Sequence, residues 1–146
     1  STPLYSSAAS DVYKRQTVPD PQDPQTFEGS KLNWSEVHEG DHERIYRAYR
    51  DLIALRRGTP ELTDQRWDTV ATQASDDEQW FVLKRMSEPE SVHGVVVAIN
   101  LGNEPRNLPL MGGDEPQLLF ASGAAPEPGS EGTVRVAPET AVVLRV

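Results

Sequence analysis

The stretch HGVVVAINLG, from His93 to Gly102, decides the fold. Its centre is a run of β-branched and small apolar residues, and Gly and Asn stand at its ends, which is typical of a buried β-strand. Four further runs of this kind occur, namely QWFVLKRM before it and PQLLFAS, TVRVA and TAVVLRV after it. Gly, Pro, Asn and Asp clusters separate the runs at roughly regular spacing. The pattern predicts an antiparallel β-sandwich domain over residues 63–146.

Two details of these runs refine the prediction. Prolines are expected outside the strands, where they cost no ladder hydrogen bond, and this applies to Pro109, Pro116, Pro126 and Pro128. In the last run, alternation places Val142, Leu144 and Val146 on one face, and Ala141, Val143 and Arg145 on the other. One face of the sheet is therefore predicted to be buried and the other at least partly wet.

A single long helix precedes the β domain, in the stretch DHERIYRAYRDLIALRRGTPEL (41–62). Asp41 is the expected N-cap, Gly58 suits a left-handed C′ position, and Pro60 forbids continuation. The helix is therefore predicted from Asp41 to Arg57. Its apolar positions recur at three- and four-residue spacing and form one stripe, made of Ile45, Tyr49, Leu52, Ile53 and Leu55. The chain is thus expected to be mainly β with one long helix.

That stripe needs a partner. The sheet domain is able to supply part of one, and the alternative is that the partner is missing because the chain is a fragment. The sequence does not begin with Met, which also favours a processed, cut or incomplete chain.

The segment ahead of the helix, VPDPQDPQTFEGSKLNW (18–34), carries three prolines and two aspartates. Such a stretch suits either a linker or a loop that closes over a substrate. Further upstream, residues 1–16 contain SSAASDVYKRQ, which resembles translated sequencing adapter. Residues 1–16 are therefore expected to be non-native or a disordered tail without function.

Composition excludes several partners and sites. The net charge of −9 argues against binding to nucleic acid or to an anionic membrane, because both need clustered Lys and Arg. The sequence contains no Cys, so disulfides and thiolate metal sites are excluded, which fits a cytoplasmic protein. No apolar run is long enough to span a membrane, and no signal peptide is recognisable.

No catalytic group stands out among the residues. His38, His42 and His93 lack metal-ligand spacing and are expected on the surface, so neither a metal nor another cofactor is predicted. The carboxylates Asp20, Asp23 and Glu28 lie in the proline-rich segment rather than at strand ends, and no catalytic role is assigned to them.

The segment 18–34 followed by HERIYRAYRDLIALRRGTPEL resembles the end of the catalytic domain of malto-oligosyltrehalose trehalohydrolases, members of the α-amylase family of glycoside hydrolases. The specific part lies in Thr26–Phe27, Ser30–Leu32 and Trp34. The helix is shared more widely with branching and debranching relatives. VVVAINLGNEPRNLPL and VAPETAVVLRV resemble the small C-terminal β domain of the same superfamily.

The resemblance implies a (β/α)8 barrel parent that ends with residues 17–62. Residues 18–34 would be the loop between its last strand and its last helix, the helix would be Asp41 to Arg57, and the β-sandwich would follow at 63–146. It implies hydrolysis of the α-1,4 bond next to the terminal trehalosyl unit of a maltooligosyl trehalose. The catalytic Asp, Glu and second Asp of such enzymes belong to barrel segments that precede this stretch, so none maps onto a residue here. Substrate contacts are implied only for the loop, with Gln22, Asp23 and Trp34 as candidates, and an anchor for the helix entry is the preferred role of Trp34.

Three other interpretations stay open. The chain could be the C-terminal part of a related branching or debranching enzyme, because such enzymes share the helix and the β domain. The β domain could be a stand-alone module that binds α-glucan, for which Trp67, Trp80 and Phe81 are the candidate aromatic residues. In QWFVLKR, alternation makes Trp80 and Phe81 face opposite ways. Alternatively, the β domain is purely structural and packs on a barrel.

Overall fold

A computed structural model describes residues 20–112 and 116–146. The chain forms two compact units, one up to Glu39 and one from Gly40 to Val146, and each is described by itself. The tail at 1–16, the first residues of the proline-rich segment and residues 113–115 lie outside the described residues. The domain boundary between residues 62 and 63 stays a prediction.

Residues 20–39, the described part of the first unit, contain two short helices where the sequence indicated only a loop. Helix α1 is Pro24–Gly29, and a 3-10 helix follows at Trp34–His38. Asp23 caps α1, because its Oδ1 accepts a hydrogen bond of 2.8 Å from the Gln25 N–H. Pro24 occupies the first helical position, where its fixed φ suits the helix and its missing N–H costs nothing. One of the prolines therefore starts a helix.

Helix α2, Gly40–Gly58, confirms the long helix, but both predicted caps were wrong. At the start, Gly40 has a φ of +49°, and Asp41 lies inside the first turn. At the end, Gly58 is the last helical residue and is not left-handed. Thr59 breaks the helix instead, with an extended φ of −121°, because the following Pro60 disfavours a helical conformation there. Pro60 then opens the short helix α3, Pro60–Thr63.

The larger sheet is antiparallel and has five strands in the order β1-β2-β3-β8-β5. Its strands are β1 (Val70–Ser75), β2 (Trp80–Met86), β3 (Gly94–Asn100), β5 (Gln117–Ala121) and β8 (Thr140–Arg145). Four of them confirm predicted runs, whereas β1 was missed because VATQAS carries no continuous apolar run. The edge strand β5 is irregular between Leu118 and Phe120, which disturbs its ladder with β8.

The smaller sheet has three strands in the order β4-β7-β6, namely β4 (Arg106–Pro109), β6 (Glu127–Pro128) and β7 (Thr133–Val136). Pro109 and Pro128 lie inside β4 and β6, so the expectation that they stand outside strands was wrong. Both strands are edges of this sheet, where a proline is tolerated because only one side needs ladder hydrogen bonds.

The core lies between the two sheets and confirms the mainly β fold. Val82, Val96, Ala98, Val142 and Leu144 of the larger sheet pack with Leu108, Val134 and Val136 of the smaller one and with Leu110 and Val146. The predicted alternation in β8 is confirmed on this face, and Arg145 is exposed on the other. Val143 on that second face is nevertheless only 6% exposed, so this face is partly shielded from solvent.

The second face of the larger sheet is tied to α3. Arg85 of β2 donates a hydrogen bond of 3.2 Å from Nε to the carbonyl oxygen of Glu61, and another from Nη2 to that of Asp64. Val95, which is paired with Arg85, is fully buried. These contacts fix the segment that leads from the helices into β1.

Candidate functional site

Of the three loop residues predicted to contact substrate, Asp23 lines a surface hollow in the first unit, and Gln22 and Trp34 are not part of its lining. The hollow has a volume of about 440 Å³ and is lined by Asp20, Asp23, Gln25, Thr26, Gly29 and Ser30. Asp23 is already engaged as the cap of α1, and the Gln22 N–H donates to Asp20 Oδ1 at 2.9 Å. One oxygen of each carboxylate, Asp20 Oδ1 and Asp23 Oδ1, therefore already accepts a hydrogen bond from a backbone amide of this loop. A substrate role for Gln22 and Asp23 stays a prediction.

Trp34 opens the 3-10 helix and is 76% exposed. The preferred role of Trp34 was an anchor for the helix entry, but the described residues do not bury its side chain. Asn33 supplies the local order instead, because its Oδ1 accepts from the Ser35 N–H at 3.2 Å and from the Ser35 hydroxyl at 2.7 Å. The indole remains available for contact with a surface outside the described chain.

The apolar stripe of α2 is largely exposed. Ile45, Tyr49, Leu52 and Ile53 are each between 39% and 66% exposed, and no residue of the helix is buried. A groove of about 590 Å³ runs between α2 and the end of β5, with Ile45, Tyr49, Leu52 and Phe120 in its lining. The end of β5 therefore contributes part of a partner for this stripe, as one of the two alternatives has it. The other alternative, that the partner is missing because the chain is a fragment, stays a prediction.

Lys84 is the unexpected charged residue of the β domain, because it points to the core side of β2 and is only 1% exposed. Its Nζ donates hydrogen bonds to the carbonyl oxygens of Val92 and, at 3.0 Å, of Met111. Burial lowers the pKa of the Lys84 ammonium, since desolvation disfavours the charged form. Sequence reasoning missed it, although its alternation with Val82 in QWFVLKRM was a usable signal.

A second charged cluster surrounds Arg66, in the turn before β1. Its Nε lies 2.8 Å from Asp64 Oδ2, and its Nη1 lies 3.1 Å from Glu88 Oε2. Hydrogen bonds from Arg66 lower the pKa of the Asp64 carboxyl, and those from Arg66 to Asp64 and Glu88 raise the pKa of the guanidinium. Sequence reasoning did not find this cluster, because residues 64 and 88 lie far apart in the chain.

The aromatic residues considered for glucan binding differ in exposure. Trp67 is 87% exposed. Trp80 is half-buried, packs against the core and donates from Nε1 to Glu78 Oε2 at 2.8 Å. Phe81 is half-buried as well. The structure therefore leaves Trp67 as the accessible aromatic residue of the three.

Neither a metal site nor a membrane span is found within the described ranges. His38, His42 and His93 are exposed, as predicted. No group of three or more His, Asp or Glu side chains among residues 20–112 and 116–146 is arranged to hold a metal ion. No helix in this part of the chain is long and apolar enough to cross a membrane.

Curated relatives support the resemblance seen in the motifs. The chain is 40% identical over 128 residues to a malto-oligosyltrehalose trehalohydrolase from Rhizobium sp. (strain M-11), covering 88% of the chain and 20% of that protein. It is 42% identical over 95 residues to the protein of the same name from Mycobacterium tuberculosis (strain ATCC 25618 / H37Rv), covering 65% of the chain and 15% of that protein. The resemblance to this family is confirmed, and the chain spans a fifth or less of these relatives' length.

A solved structure and a family model complete the comparison. The fold is similar to a crystal structure of the MutB F164L mutant soaked with trehalulose, with a TM-score of 0.57, 20% identity, and coverage of 80% of this chain and 21% of that one. At this identity the likeness concerns the fold alone. A family model described as "Domain of unknown function (DUF3459)" matches residues 65–144. Since that match takes in more than half of the sequence and nearly the whole β-sandwich, the chain belongs to the DUF3459 family.

Proposed function

We propose that the chain is the C-terminal part of a malto-oligosyltrehalose trehalohydrolase, a glycosidase of the α-amylase family. The proposed parent enzyme hydrolyses the α-1,4 bond next to the terminal trehalosyl unit of a maltooligosyl trehalose and releases trehalose. The observation that carries the proposal is the match to the Rhizobium protein, because its 128 residues extend well beyond residues 65–144. The match thus includes sequence ahead of the β domain.

The chemistry is proposed to lie outside this chain. Retaining glycosidases use two carboxyl groups held about 5–5.5 Å apart on a rigid scaffold. The carboxylates of the loop, Asp20 and Asp23, are bonded to backbone amides instead. The role proposed for residues 17–62 is to complete the barrel, and for residues 63–146 to form a structural β domain beside it. The exposed stripe of α2 supports this proposal, because it needs a cover that the described residues do not provide.

The location proposed for the parent enzyme is the cytoplasm, and its role is trehalose biosynthesis. The fold contains no cysteine, so it does not depend on an oxidising compartment.

A chimera tests the proposed function. The part of the Rhizobium protein that precedes its matching segment is joined to this chain from residue 17 onward. Trehalose release from maltooligosyl trehalose is then measured for the chimera, for this chain alone and for the Rhizobium part alone. We expect activity only in the chimera. A folded but inactive chimera, or hydrolysis by this chain alone, would contradict the proposal.

A further inference from the structure

Strand β1 forms one edge of the larger sheet and lacks the features that protect the other sheet edges. Proline lies in β4 and in β6, and the ladder of β5 is irregular. Each of these features hinders the addition of a further strand. In β1, six consecutive residues pair with β2 in an unbroken register, and the strand contains neither proline nor lysine. Strand β1 is therefore the edge best suited to accept another strand.

The pairing of β1 with β2 fixes which of its backbone groups face outward. The Met86 N–H donates to the carbonyl oxygen of Thr69 at 2.8 Å, just before β1 begins. Hydrogen-bonded and non-hydrogen-bonded residue pairs alternate along an antiparallel ladder. The odd-numbered residues of β1 therefore bond to β2. The even-numbered residues direct their N–H and C=O groups away from it, namely Val70, Thr72 and Ala74.

Most of these outward groups have no partner. The Val70 N–H donates to the carbonyl oxygen of Trp67 at 3.2 Å, which agrees with an outward direction. The N–H groups of Thr72 and Ala74 have no backbone partner among the described residues, and both residues are exposed. Together with the outward carbonyl oxygens, these donors offer the backbone hydrogen bonds on which recognition by strand addition depends.

Acidic residues surround this edge. Residues 67–79 contain four acidic side chains and no Lys or Arg, so the charge along the edge has one sign. Asp68 precedes the strand, Asp76 and Asp77 follow it, and all three are exposed. No ion pair among the described residues involves these three carboxylates. An extended segment with a basic residue towards each end is therefore complementary to the edge in charge.

The same charges disfavour a second copy of this chain as the added strand. Antiparallel pairing of two copies of β1, centred on Thr72, brings Asp68 of each copy towards Asp76 of the other. Like charges brought together in this way oppose pairing. The net charge of −9 adds a general repulsion between copies. The charges therefore favour a different, basic polypeptide.

We propose that the open edge of β1 binds an extended, basic segment of another polypeptide by strand addition. The segment lies antiparallel to β1, as the strands of this sheet lie to one another. Its backbone bonds to the outward groups of Thr72 and Ala74, and its basic side chains face Asp68 and Asp76. The main chain provides affinity, and the charges select the partner. The proposal is independent of the activity of the parent enzyme.

Amide exchange in the whole chain, resolved by residue with ¹H–¹⁵N NMR, tests the proposal. The probe is a peptide of alternating Thr and Val with Lys at both ends, about nine residues long to reach from Asp68 to Asp76. In the chain alone, the amides of Thr72 and Ala74 are expected to exchange much faster than that of Gln73. The peptide is expected to slow both markedly. Unchanged exchange at Thr72 and Ala74 with saturating peptide overturns the proposal.

The role of charge is tested with a second peptide, in which Glu replaces both Lys residues. At low ionic strength this peptide is expected to bind at least about tenfold more weakly than the lysine peptide. Asp76→Asn is expected to weaken binding of the lysine peptide severalfold. Asp51→Asn, at an exposed position of α2, is the matched control with unchanged affinity. Equal affinity of the two peptides, or equal effects of the two substitutions, overturns the choice of a basic partner.

The role of the backbone is tested at Thr72. Thr72→Pro removes an outward N–H that the ladder with β2 does not use, and an edge strand tolerates such a proline. It is expected to weaken binding of the lysine peptide by at least about tenfold, whereas Thr72→Val keeps the N–H and is expected to leave affinity unchanged. Unchanged affinity in Thr72→Pro, with the amides of β3 and β8 still protected, overturns binding at this edge. The two peptides decide the proposal even where Thr72→Pro does not fold.

Sedimentation velocity of the chain alone tests the alternative occupant. The chain is expected to remain monomeric at the concentrations at which the lysine peptide binds. A dimer that Thr72→Pro dissociates and Thr72→Val does not would assign the edge to a second copy and overturn the proposed basic partner.

Discussion

The ammonium nitrogen of Lys84 lies 3.0 Å from the carbonyl oxygen of Met111, inside one end of the β-sandwich. The same nitrogen donates to the carbonyl oxygen of Val92, so one buried side chain joins the segment between β2 and β3 to the segment after β4. A lysine is almost never fully buried without compensation. Here two backbone carbonyls provide it.

This arrangement predicts that stability rises with pH in the alkaline range. Burial lowers the pKa of Lys84 below its ordinary value of 10.5 in the folded chain. Between the lowered pKa and 10.5 the unfolded chain binds more protons than the folded one, so the free energy of unfolding increases with pH in that window. Lys84→Met is expected to flatten this rise in urea unfolding curves measured across the window.

The matched control for Lys84 is Lys31→Met. Lys31 is exposed and lies 2.8 Å from Glu28, so its loss is expected to leave the alkaline slope unchanged. An identical slope in wild type and Lys84→Met would show that the ammonium is not buried in solution.

Replacing the buried amide side chain of Asn100 is expected to lower the free energy of unfolding strongly. Its Nδ2 donates to the carbonyl oxygens of Glu104 at 2.8 Å and of Ala137 at 3.0 Å, and its Oδ1 accepts from the Gly102 N–H at 3.0 Å. Asn100→Ala leaves these buried groups unpaired, at a cost of about 2–4 kcal/mol. Chemical denaturation measures the loss.

The control for that substitution lies in β4. Asn107 is exposed, so Asn107→Ala is expected to change the free energy of unfolding by less than about 0.5 kcal/mol. Equal effects of the two alanines would mean that the Asn100 network is open to water.

Alanine substitutions of the two glycines at the ends of α2 are expected to change the stability of the chain in opposite directions. Gly58 is helical, and a Cβ added there meets no atom within 4 Å. Gly58→Ala is therefore expected to stabilise the chain by about 0.5–1 kcal/mol. Gly40 has a φ of +49°, which an L side chain rarely adopts, so Gly40→Ala is expected to destabilise it. Thermal unfolding of both variants measures the sign of each stability change. Destabilisation by Gly58→Ala would support the left-handed C′ position that the sequence predicted for Gly58.

Much of the β domain was predictable, because its strands are apolar runs whose alternation is visible in the sequence. Four strands of the larger sheet and the core face of β8 followed from such runs. Strand β1 was not predictable in this way, because its stability comes from pairing with β2 rather than from its own composition. The prediction that Pro109 and Pro128 lie outside strands was wrong for a related reason, since only the sheet order shows that their strands are edges.

The candidate sites were less predictable than the fold. Trp67 is far more exposed than Trp80, because Trp67 lies in a polar stretch ahead of β1 whereas Trp80 begins the apolar run of β2 and packs against the core. The cluster of Asp64, Arg66 and Glu88 needs the pairing of β1 with β2 to form. The Asp-Pro pair at positions 23 and 24 did carry a usable signal, because an N-cap followed by proline is a typical helix start.

The exposed stripe of α2 predicts uneven protection in hydrogen exchange. In proteins, most of the stability of a helix comes from tertiary packing of its apolar face. In α2, Ile45 and Ile53 are each 49% exposed, so the helix gains little from burial. The backbone amides of α2 are therefore expected to exchange much faster than those of β3 and β8, as measured by mass spectrometry. In the active chimera described above, the α2 amides are expected to slow markedly, whereas those of β3 and β8 stay as they are. Uniform protection across α2 and the β domain in the chain alone would contradict the inference that the stripe is normally covered by polypeptide outside the described residues.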